Sequence, residues 1–191
     1  MVTSTRRAGA VVVCCVAAAL LVGGCGGAGD APATAAGGPP TACPVGPGSP
    51  IAGIRPASLP CLTRDGAAVQ VSAVHGRPEV INIWASWCGP CKQEIPLLQR
   101  MHVLAGSSVL FLGVDVRDKQ AHALSFLHDQ GATYPQAFDS TGSFPISLRM
   151  YGVPDTLVVD GTGHIVYRVA GPITEAELRS ALTKAGVALP S

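Results

Sequence analysis

Two cysteines separated by two residues, Cys88 and Cys91, stand in the stretch WASWCGPC. This spacing has three chemical uses: a structural bridge, half of a zinc site, or a redox-active pair. A predicted buried strand ends just before Cys88 and a predicted helix begins just after it, so the Cys88 sulfur lies at a helix N-terminus. Free backbone N–H groups and the helix dipole stabilise a thiolate there. Cys88 is therefore the expected nucleophile.

Cys91 lies one helical turn further along and is predicted to be less exposed than Cys88. It is placed to attack a mixed disulfide formed at Cys88, and thiol–disulfide exchange needs this pairing of a nucleophile with a resolving thiol. A zinc site would require a second ligand pair, and the five histidines are scattered. An inert bridge across so few residues would constrain little of the unfolded chain. Redox catalysis without a metal or cofactor is the preferred interpretation.

Residues 1–24 have the pattern of a signal peptide. Arg6 and Arg7 precede the uncharged run AGAVVVCCVAAALLVGG, which ends directly before Cys25. Small residues before a cysteine resemble a bacterial lipobox, in which Cys25 would be acylated and become the first residue of the mature protein. The alternative is an uncleaved membrane anchor, for which the run lies at the short limit. Both interpretations predict a location at the cell membrane on its extracytoplasmic face, an oxidising compartment.

Composition divides the remaining chain into a tether and a domain. Residues 25–50 are rich in Gly, Pro, Ala and Thr and lack apolar periodicity, which indicates a flexible, lipid-attached tether. Residues 51–191 contain enough Val, Ile, Leu and Ala to fill the core of one domain. The formal net charge is +1 and no basic cluster occurs, which argues against a nucleic-acid partner.

Hydrophobic patterns within residues 51–191 predict an α/β fold. Two continuous apolar runs are typical of strands buried on both faces: 79–85 and 108–116. Alternation and turn signals predict the other strands: an N-terminal hairpin of 59–62 with 69–74, a short strand within 134–139, and a hairpin at 156–171. Apolar periodicity and end signals predict four helices: 91–105, 120–131, 143–150 and 174–186, the last with a capping box. Right-handed crossovers then place helices on both faces of a central mixed sheet.

Cys43 and Cys61 are the other cysteines of the predicted mature chain besides the acylated one and the CxxC pair. Four cysteines allow three pairings, which the sequence alone does not settle. The preferred interpretation is a disulfide between Cys43 and Cys61 that fastens the end of the tether to the domain. A second redox relay is the alternative, disfavoured because neither cysteine has a partner at the spacing of a helix start.

The stretch WASWCGPCKQEIP resembles the active site of thioredoxin-fold proteins, specifically the TlpA/ResA type of membrane-tethered thiol:disulfide oxidoreductase. The resemblance covers residues 59–186 and includes the segment YGVPDTLVVDGTGHIVYRVAG. It implies a thioredoxin-like fold with an N-terminal hairpin and a central helical insertion at 118–133.

The same resemblance implies roles for residues outside the CxxC motif. Pro154 matches a cis-proline that faces the cysteines, and the backbone of Val153 would pair with an extended substrate. Trp87 would form a docking surface beside the exposed sulfur. Glu94 matches the family's active-site glutamate, which would tune or deprotonate the resolving thiol. The alternative for Glu94 is a solvated glutamate on a helix surface.

Two residues depart from related patterns. Asn82 stands where cytoplasmic thioredoxins carry a buried aspartate, which favours the TlpA/ResA type over a general thioredoxin. Asp155 follows Pro154 at a position where the family more often has threonine or another small residue. A carboxylate beside the groove raises the question of whether it alters substrate choice or the acidity of Cys88.

The Gly-Pro pair between the cysteines resembles that of strongly reducing thioredoxins, and the sequence leaves the direction of electron flow open. The preferred function is reduction of exported protein thiols, such as the haem-attachment cysteines of apocytochromes, with electrons from a membrane donor. One alternative is an oxidant that introduces disulfides into secreted proteins. Another is a copper metallochaperone, disfavoured because such carriers use CxxxC with a nearby histidine. We expect a monomer whose partners are exported thiol- or disulfide-containing proteins.

Overall fold

The computed structural model describes residues 38–44, 47–63 and 67–190. Five strands form its central sheet: Glu79–Trp84 (β5), Leu110–Val116 (β6), Gln136–Asp139 (β7), Asp155–Val159 (β8) and Ile165–Ala170 (β9). Their order is β7-β6-β5-β8-β9. The first three are parallel to one another, while β8 is antiparallel to both β5 and β9. The predicted mixed α/β sheet is confirmed.

Four helices accompany the sheet: Cys91–Ala105 (α1), Gln120–Asp129 (α2), Ser143–Ser147 (α3) and Glu175–Lys184 (α4). All four were expected from the sequence, and α1 has the predicted bounds. The α3 helix ends three residues before the predicted limit because Arg149 adopts a left-handed conformation with φ of 56°. The predicted capping box of α4 is present: the Thr174 hydroxyl accepts the Glu177 N–H, and the Glu177 carboxylate accepts the Thr174 N–H.

The two faces of the sheet are covered by different parts of the chain. Side chains alternate along a strand, so neighbouring residues of β5 enter different cores. Val80 and Trp84 pack in one core with residues of α1, α2 and α4. Ile81 and Ile83 pack in the other with the N-terminal segment and with Phe144 of α3. Helices therefore lie on both faces, as predicted.

The N-terminal segment forms four short strands: Ser49–Pro50 (β1), Ser58–Pro60 (β2), Ala68–Gln70 (β3) and Ala73–Val74 (β4). The antiparallel pair of β2 and β3 is the predicted hairpin. The second predicted strand, 69–74, is in fact divided, and its end pairs with β1 instead. The division falls at Ser72, whose hydroxyl accepts the Ala57 N–H at 2.8 Å. A polar side chain bonded within a turn interrupts the run of strand residues.

The predicted tether ends at Pro50, and several of its described residues contact the domain. The Thr41 N–H donates to the Thr133 carbonyl at 2.7 Å. Cys43 is buried and forms a disulfide with Cys61, which in turn bridges to Ala137 of β7. The predicted signal peptide and Cys25 lie outside the described residues. Within the described ranges, no helix combines the length and the hydropathy needed to cross a membrane.

Gly113 in β6 leaves room for the Gln136 side chain, which holds the end of β5 near the cysteines. A β-carbon at Gly113 would stand 1.9 Å from Oε1 of Gln136. That same oxygen accepts the indole N–H of Trp84 at 2.9 Å, and Trp84 is the last residue of β5. A side chain at position 113 would displace the amide and leave a buried indole N–H without its partner, which is costly.

We predict that the double variant Cys43→Ser/Cys61→Ser loses about 3 kcal/mol of stability, because the disulfide closes a loop of 18 residues in the unfolded chain. Urea unfolding of the oxidised protein measures this loss. Cys88→Ser/Cys91→Ser is the matched control, since its loop spans three residues and the same relation gives about half the effect. Equal losses in the two variants would contradict the assignment.

Candidate active site

The CxxC motif occupies the connection between β5 and α1. The Cys88 N–H donates to the Ala85 carbonyl at 3.1 Å, which turns the chain after the strand. Cys91 is the first residue of α1, and its sulfur is bonded to that of Cys88. The Cys91 N–H donates to the Cys88 sulfur at 3.1 Å. Cys88 is 5% exposed and Cys91 is fully buried, so solvent or a substrate reaches Cys88 first.

The loop before β8 reaches the same edge of the sheet. Ile83 pairs with Asp155 in the antiparallel ladder of β5 and β8. Pro154 therefore lies next to the end of β5, where the CxxC loop begins. The peptide bond between Val153 and Pro154 is cis. The fold thus brings together two motifs that are more than 60 residues apart in the sequence.

A groove with a volume of about 100 Å³ runs beside the cysteine loop. Trp87 and Val153, two of the predicted docking residues, both line it. Trp87 is 61% exposed, and its indole N–H donates to the Arg117 carbonyl at 3.2 Å. Ile146 and Tyr151 also line the groove, with 52% and 86% exposure. These two were missed in the sequence, where Ile146 belonged to a predicted helix and Tyr151 followed it, and nothing marked either side chain as exposed.

Asp139 fixes the loop that carries α3 and hence one wall of this groove. Its carboxylate accepts the backbone N–H groups of Gly142 and Phe144 at 2.9 and 2.8 Å, and the Thr141 hydroxyl at 2.8 Å. These bonds satisfy donors at the start of α3, which has no side-chain cap of its own. The hydrogen bonds of Asp139 therefore hold the loop that forms one wall of the groove.

Glu94 is buried, so the alternative of a solvated glutamate is wrong. The Asn82 side-chain amide donates to Oε2 of Glu94 at 2.8 Å. The Thr156 hydroxyl and the Ile173 N–H both donate to Oε1 at 3.1 Å. Glu94 lies three residues after Cys91, a spacing at which helical side chains are neighbours. The carboxyl group is thus held beneath the buried cysteine.

Burial raises the pKa of Glu94, because a carboxylate loses its hydration there. The three hydrogen bonds to Ile173, Thr156 and Asn82 act in the opposite direction, and the nearby charge of Asp155 adds to the rise. Asn82, which replaces the thioredoxin aspartate, is therefore a hydrogen-bond donor to the active-site carboxyl group. Glu94 is an acid whose proton is held more tightly than in water.

Asp155 is buried and paired with an arginine of the neighbouring strand. The Arg168 guanidinium donates to Oδ2 of Asp155 at 2.9 Å and to Oδ1 at 3.2 Å. Arg168 also donates to the Leu148 carbonyl at 3.3 Å. The carboxylate after Pro154 is therefore compensated by a cation, which the sequence pattern did not indicate.

A second pair of acids lies behind the CxxC loop and was not identified from the sequence. Asp115 is fully buried at the end of β6, and neither of its carboxyl oxygens has a hydrogen-bond partner among the described residues. Burial raises the pKa of Asp115 to about 8, with a contribution from Asp118. Asp118 accepts the Ser86 N–H at 2.6 Å. The sequence did contain a signal for a buried acid, because Asp115 lies within the otherwise apolar run LFLGVDV.

Comparison with known proteins identifies similar chains. The profile of the Redoxin family matches residues 34–184. The thiol:disulfide interchange protein DsbE of Haemophilus influenzae is 40% identical over 102 residues, which cover 53% of this chain and 55% of that protein. The thiol:disulfide interchange protein CycY of Rhizobium leguminosarum is 31% identical over 135 residues, 70% of this chain and 68% of CycY. The match thus spans little more than half of the first relative's length.

A solved structure of similar fold comes from Chlorobium tepidum and is described as a thiol:disulfide interchange protein of the thioredoxin family. It superposes with a TM-score of 0.59 at 21% identity and covers 74% of this chain and 99% of that one. The predicted thioredoxin-like fold is confirmed. The names of the relatives also confirm the resemblance to thiol:disulfide oxidoreductases.

We predict that Asp115→Asn flattens the dependence of stability on pH. A raised pKa means that the folded protein keeps a proton that the unfolded chain releases, so the wild type loses stability as pH rises from about 4 to about 8. Asp115→Asn has no proton to release at this position. Its free energy of unfolding should therefore rise relative to that of the wild type by up to about 1.4 kcal/mol for each pH unit. Urea unfolding between pH 5 and 8 measures it, with the exposed Asp129→Asn as control. Equal slopes for wild type and Asp115→Asn would contradict the prediction.

Proposed function

The chain belongs to the Redoxin family, and we propose that it is a thiol:disulfide oxidoreductase that reduces the thiols of exported proteins. The observation that carries the proposal is the Cys88–Cys91 disulfide at the start of α1, with Cys88 the more accessible sulfur. Two relatives named as thiol:disulfide interchange proteins support it.

The proposed reaction proceeds through a mixed disulfide. In the reduced protein, the Cys88 thiolate attacks a substrate disulfide and releases one substrate thiol. Cys91 then attacks the Cys88 sulfur, which releases the second substrate thiol and forms the Cys88–Cys91 disulfide. Two electrons pass to the substrate. A membrane redox donor would return the pair to the dithiol.

The substrate would lie as an extended segment in the groove. We assign Trp87 as an apolar docking surface and the backbone of Val153 as the partner of the substrate chain beside Pro154. The exposure of Trp87 and the position of Val153 in the same groove support this assignment. Apocytochromes before haem attachment are the example we propose, because their cysteines must stay reduced in an oxidising compartment.

The location rests on the sequence. We propose that Cys25 is acylated after removal of residues 1–24 and that the protein is held at the outer face of the cell membrane as a monomer. The lipobox pattern before Cys25 supports lipid attachment. The Cys43–Cys61 disulfide supports an oxidising compartment, since such bonds persist there.

Glu94 is the proposed proton acceptor for Cys91. Cys91 is fully buried, so its thiol cannot pass a proton directly to water. Glu94 lies one turn away on the same helix, and burial gives it a pKa above the ordinary value for a glutamate. A carboxylate with a raised pKa one helical turn from a buried thiol suits general base catalysis.

We propose that electrons flow from this pair to the substrate, and the surroundings of the two cysteines support that direction. Among the described residues, one backbone N–H, that of Cys91, donates to the Cys88 sulfur. Cys91 is surrounded by apolar residues, and Glu94 carries a negative charge when ionised. Strong oxidants owe their potential to a stabilised reduced form. The surroundings of this pair favour the disulfide and hence a reducing protein.

We predict a reduction potential near that of thioredoxin, about −270 mV, for the Cys88–Cys91 pair. Equilibration with glutathione buffers measures it in Cys43→Ser/Cys61→Ser, which retains only the active-site pair in the domain. A potential near −120 mV, that of a strong oxidant, would contradict the reductant assignment. A pair that does not equilibrate with glutathione would contradict thiol exchange altogether.

We predict that Glu94→Gln slows the resolving step by about 10²-fold, the usual size of a general-base contribution, and leaves attack by Cys88 nearly unchanged. Stopped-flow measurement of mixed-disulfide formation and decay separates the two steps. Glu79→Gln is the matched control, because Glu79 is also buried with a raised pKa but lies at the opposite end of β5. Equal decay rates in both variants would exclude Glu94 as the base.

A further inference from the structure

A second, larger cavity adjoins the docking groove. It has a volume of about 590 Å³, and it shares Ile146 and Met150 with the groove as lining residues. Three arginines line it: Arg55, Arg149 and Arg168. We call it the arginine cavity. The shared residues place the two cavities side by side.

The arginine cavity carries a net positive charge. No acidic side chain of the described part of the chain lines it. Arg168 is compensated by Asp155 behind the wall. Arg55 and Arg149 are exposed, and neither forms an ion pair with any described residue. Two guanidinium groups therefore face the cavity with their charge uncompensated by the surrounding protein.

The backbone holds one of these arginines in an unfavourable conformation. Arg149 has a φ of 56°, a region in which residues other than glycine are uncommon. Residues held in this conformation are concentrated at functional sites. The turn is fixed by bonds from the Arg149 N–H to the Ile146 carbonyl and from the Met150 N–H to the Pro145 carbonyl.

We propose that the arginine cavity binds a carboxylate side chain of the substrate, and that preferred substrates carry an acidic residue a few positions from the reacting cysteine. This inference rests on the proposed function, because the cavity continues the groove next to Cys88. Guanidinium groups present planar forks of donors that match a carboxylate. The apolar groove holds the segment near the cysteine, and the arginines select the charge further along it.

The test compares two cysteine peptides that differ in one residue. Each carries a single cysteine in a mixed disulfide with the uncharged thiol 2-mercaptoethanol and, at the same position three residues away, either glutamate or glutamine. The reduced protein converts each to peptide thiol and 2-mercaptoethanol in a single turnover while Cys88 and Cys91 become a disulfide. The measured quantity is the ratio of the second-order rate constant for the acidic peptide to that for the neutral one. The comparison is repeated with the glutamate or glutamine moved one or two positions along the peptide, so that several spacings from the cysteine are tested.

The wild type is expected to prefer an acidic peptide by about tenfold at low salt, and less at high salt, because charge pairs at an exposed site are screened. In Arg55→Gln/Arg149→Asn the ratio falls towards one; asparagine is chosen because it tolerates the left-handed conformation. Arg100→Gln is the matched control, since Arg100 is exposed on α1 outside the cavity, and it keeps the wild-type ratio.

Failure of this inference can be told apart from failure of the proposed function. If the wild type exchanges both peptides at equal rates in every register, the inference about the arginine cavity is wrong and the proposed function stands. If neither peptide is exchanged, the proposed function itself fails. A preference that survives unchanged in Arg55→Gln/Arg149→Asn would also overturn the inference, because it would place the selecting charge elsewhere.

Discussion

The arrangement of the active site depends on one buried carboxyl group, that of Glu94. It accepts hydrogen bonds from Asn82 on β5, from Thr156 on β8 and from the backbone of Ile173 ahead of α4. Because Glu94 lies one turn after Cys91, these bonds fix the start of α1 against two central strands and the segment that leads into α4. Burying a carboxyl group without such donors would be strongly unfavourable. The network is therefore what allows a carboxyl group to be buried at this position.

Of the buried acids near this edge of the sheet, Glu94, Asp155 and Asp115 are each accommodated differently. Glu94 is surrounded by neutral donors, Asp155 is paired with Arg168, and the pKa of Asp115 is raised to about 8, so that it keeps its proton near neutral pH. Neutral donors stabilise a carboxylate without tying it to a fixed cation, so the proton of Glu94 can be exchanged. The three acids therefore differ in the charge that surrounds each carboxyl group, and only Glu94 is bound by neutral donors alone.

The sequence was sufficient for features that depend on local chemistry. Apolar runs indicated β5 and β6, the helix-start position distinguished Cys88 from Cys91, and the capping box located α4. What it could not provide were contacts between distant residues. Thr156 and Ile173 lie 62 and 79 residues from Glu94, and no local pattern marks them as its partners. The same reason hid the ion pair of Asp155, since only the register between β8 and β9 brings Arg168 to it.

That ion pair answers the question raised by a carboxylate beside the cis-proline. An uncompensated Asp155 would repel acidic substrates, whereas a buried and bidentate one presents no net charge to the groove. Removing Arg168 would leave the buried Asp155 carboxylate without its cation, which is unfavourable, so Asp155 holds Arg168 in place as a wall of the arginine cavity. Arg55 and Arg149 form no ion pair with any described residue, so their guanidinium groups can turn towards an incoming carboxylate. Asp155 thus holds Arg168 as a neutralised part of the cavity wall, and the positive charge of the arginine cavity comes from Arg55 and Arg149.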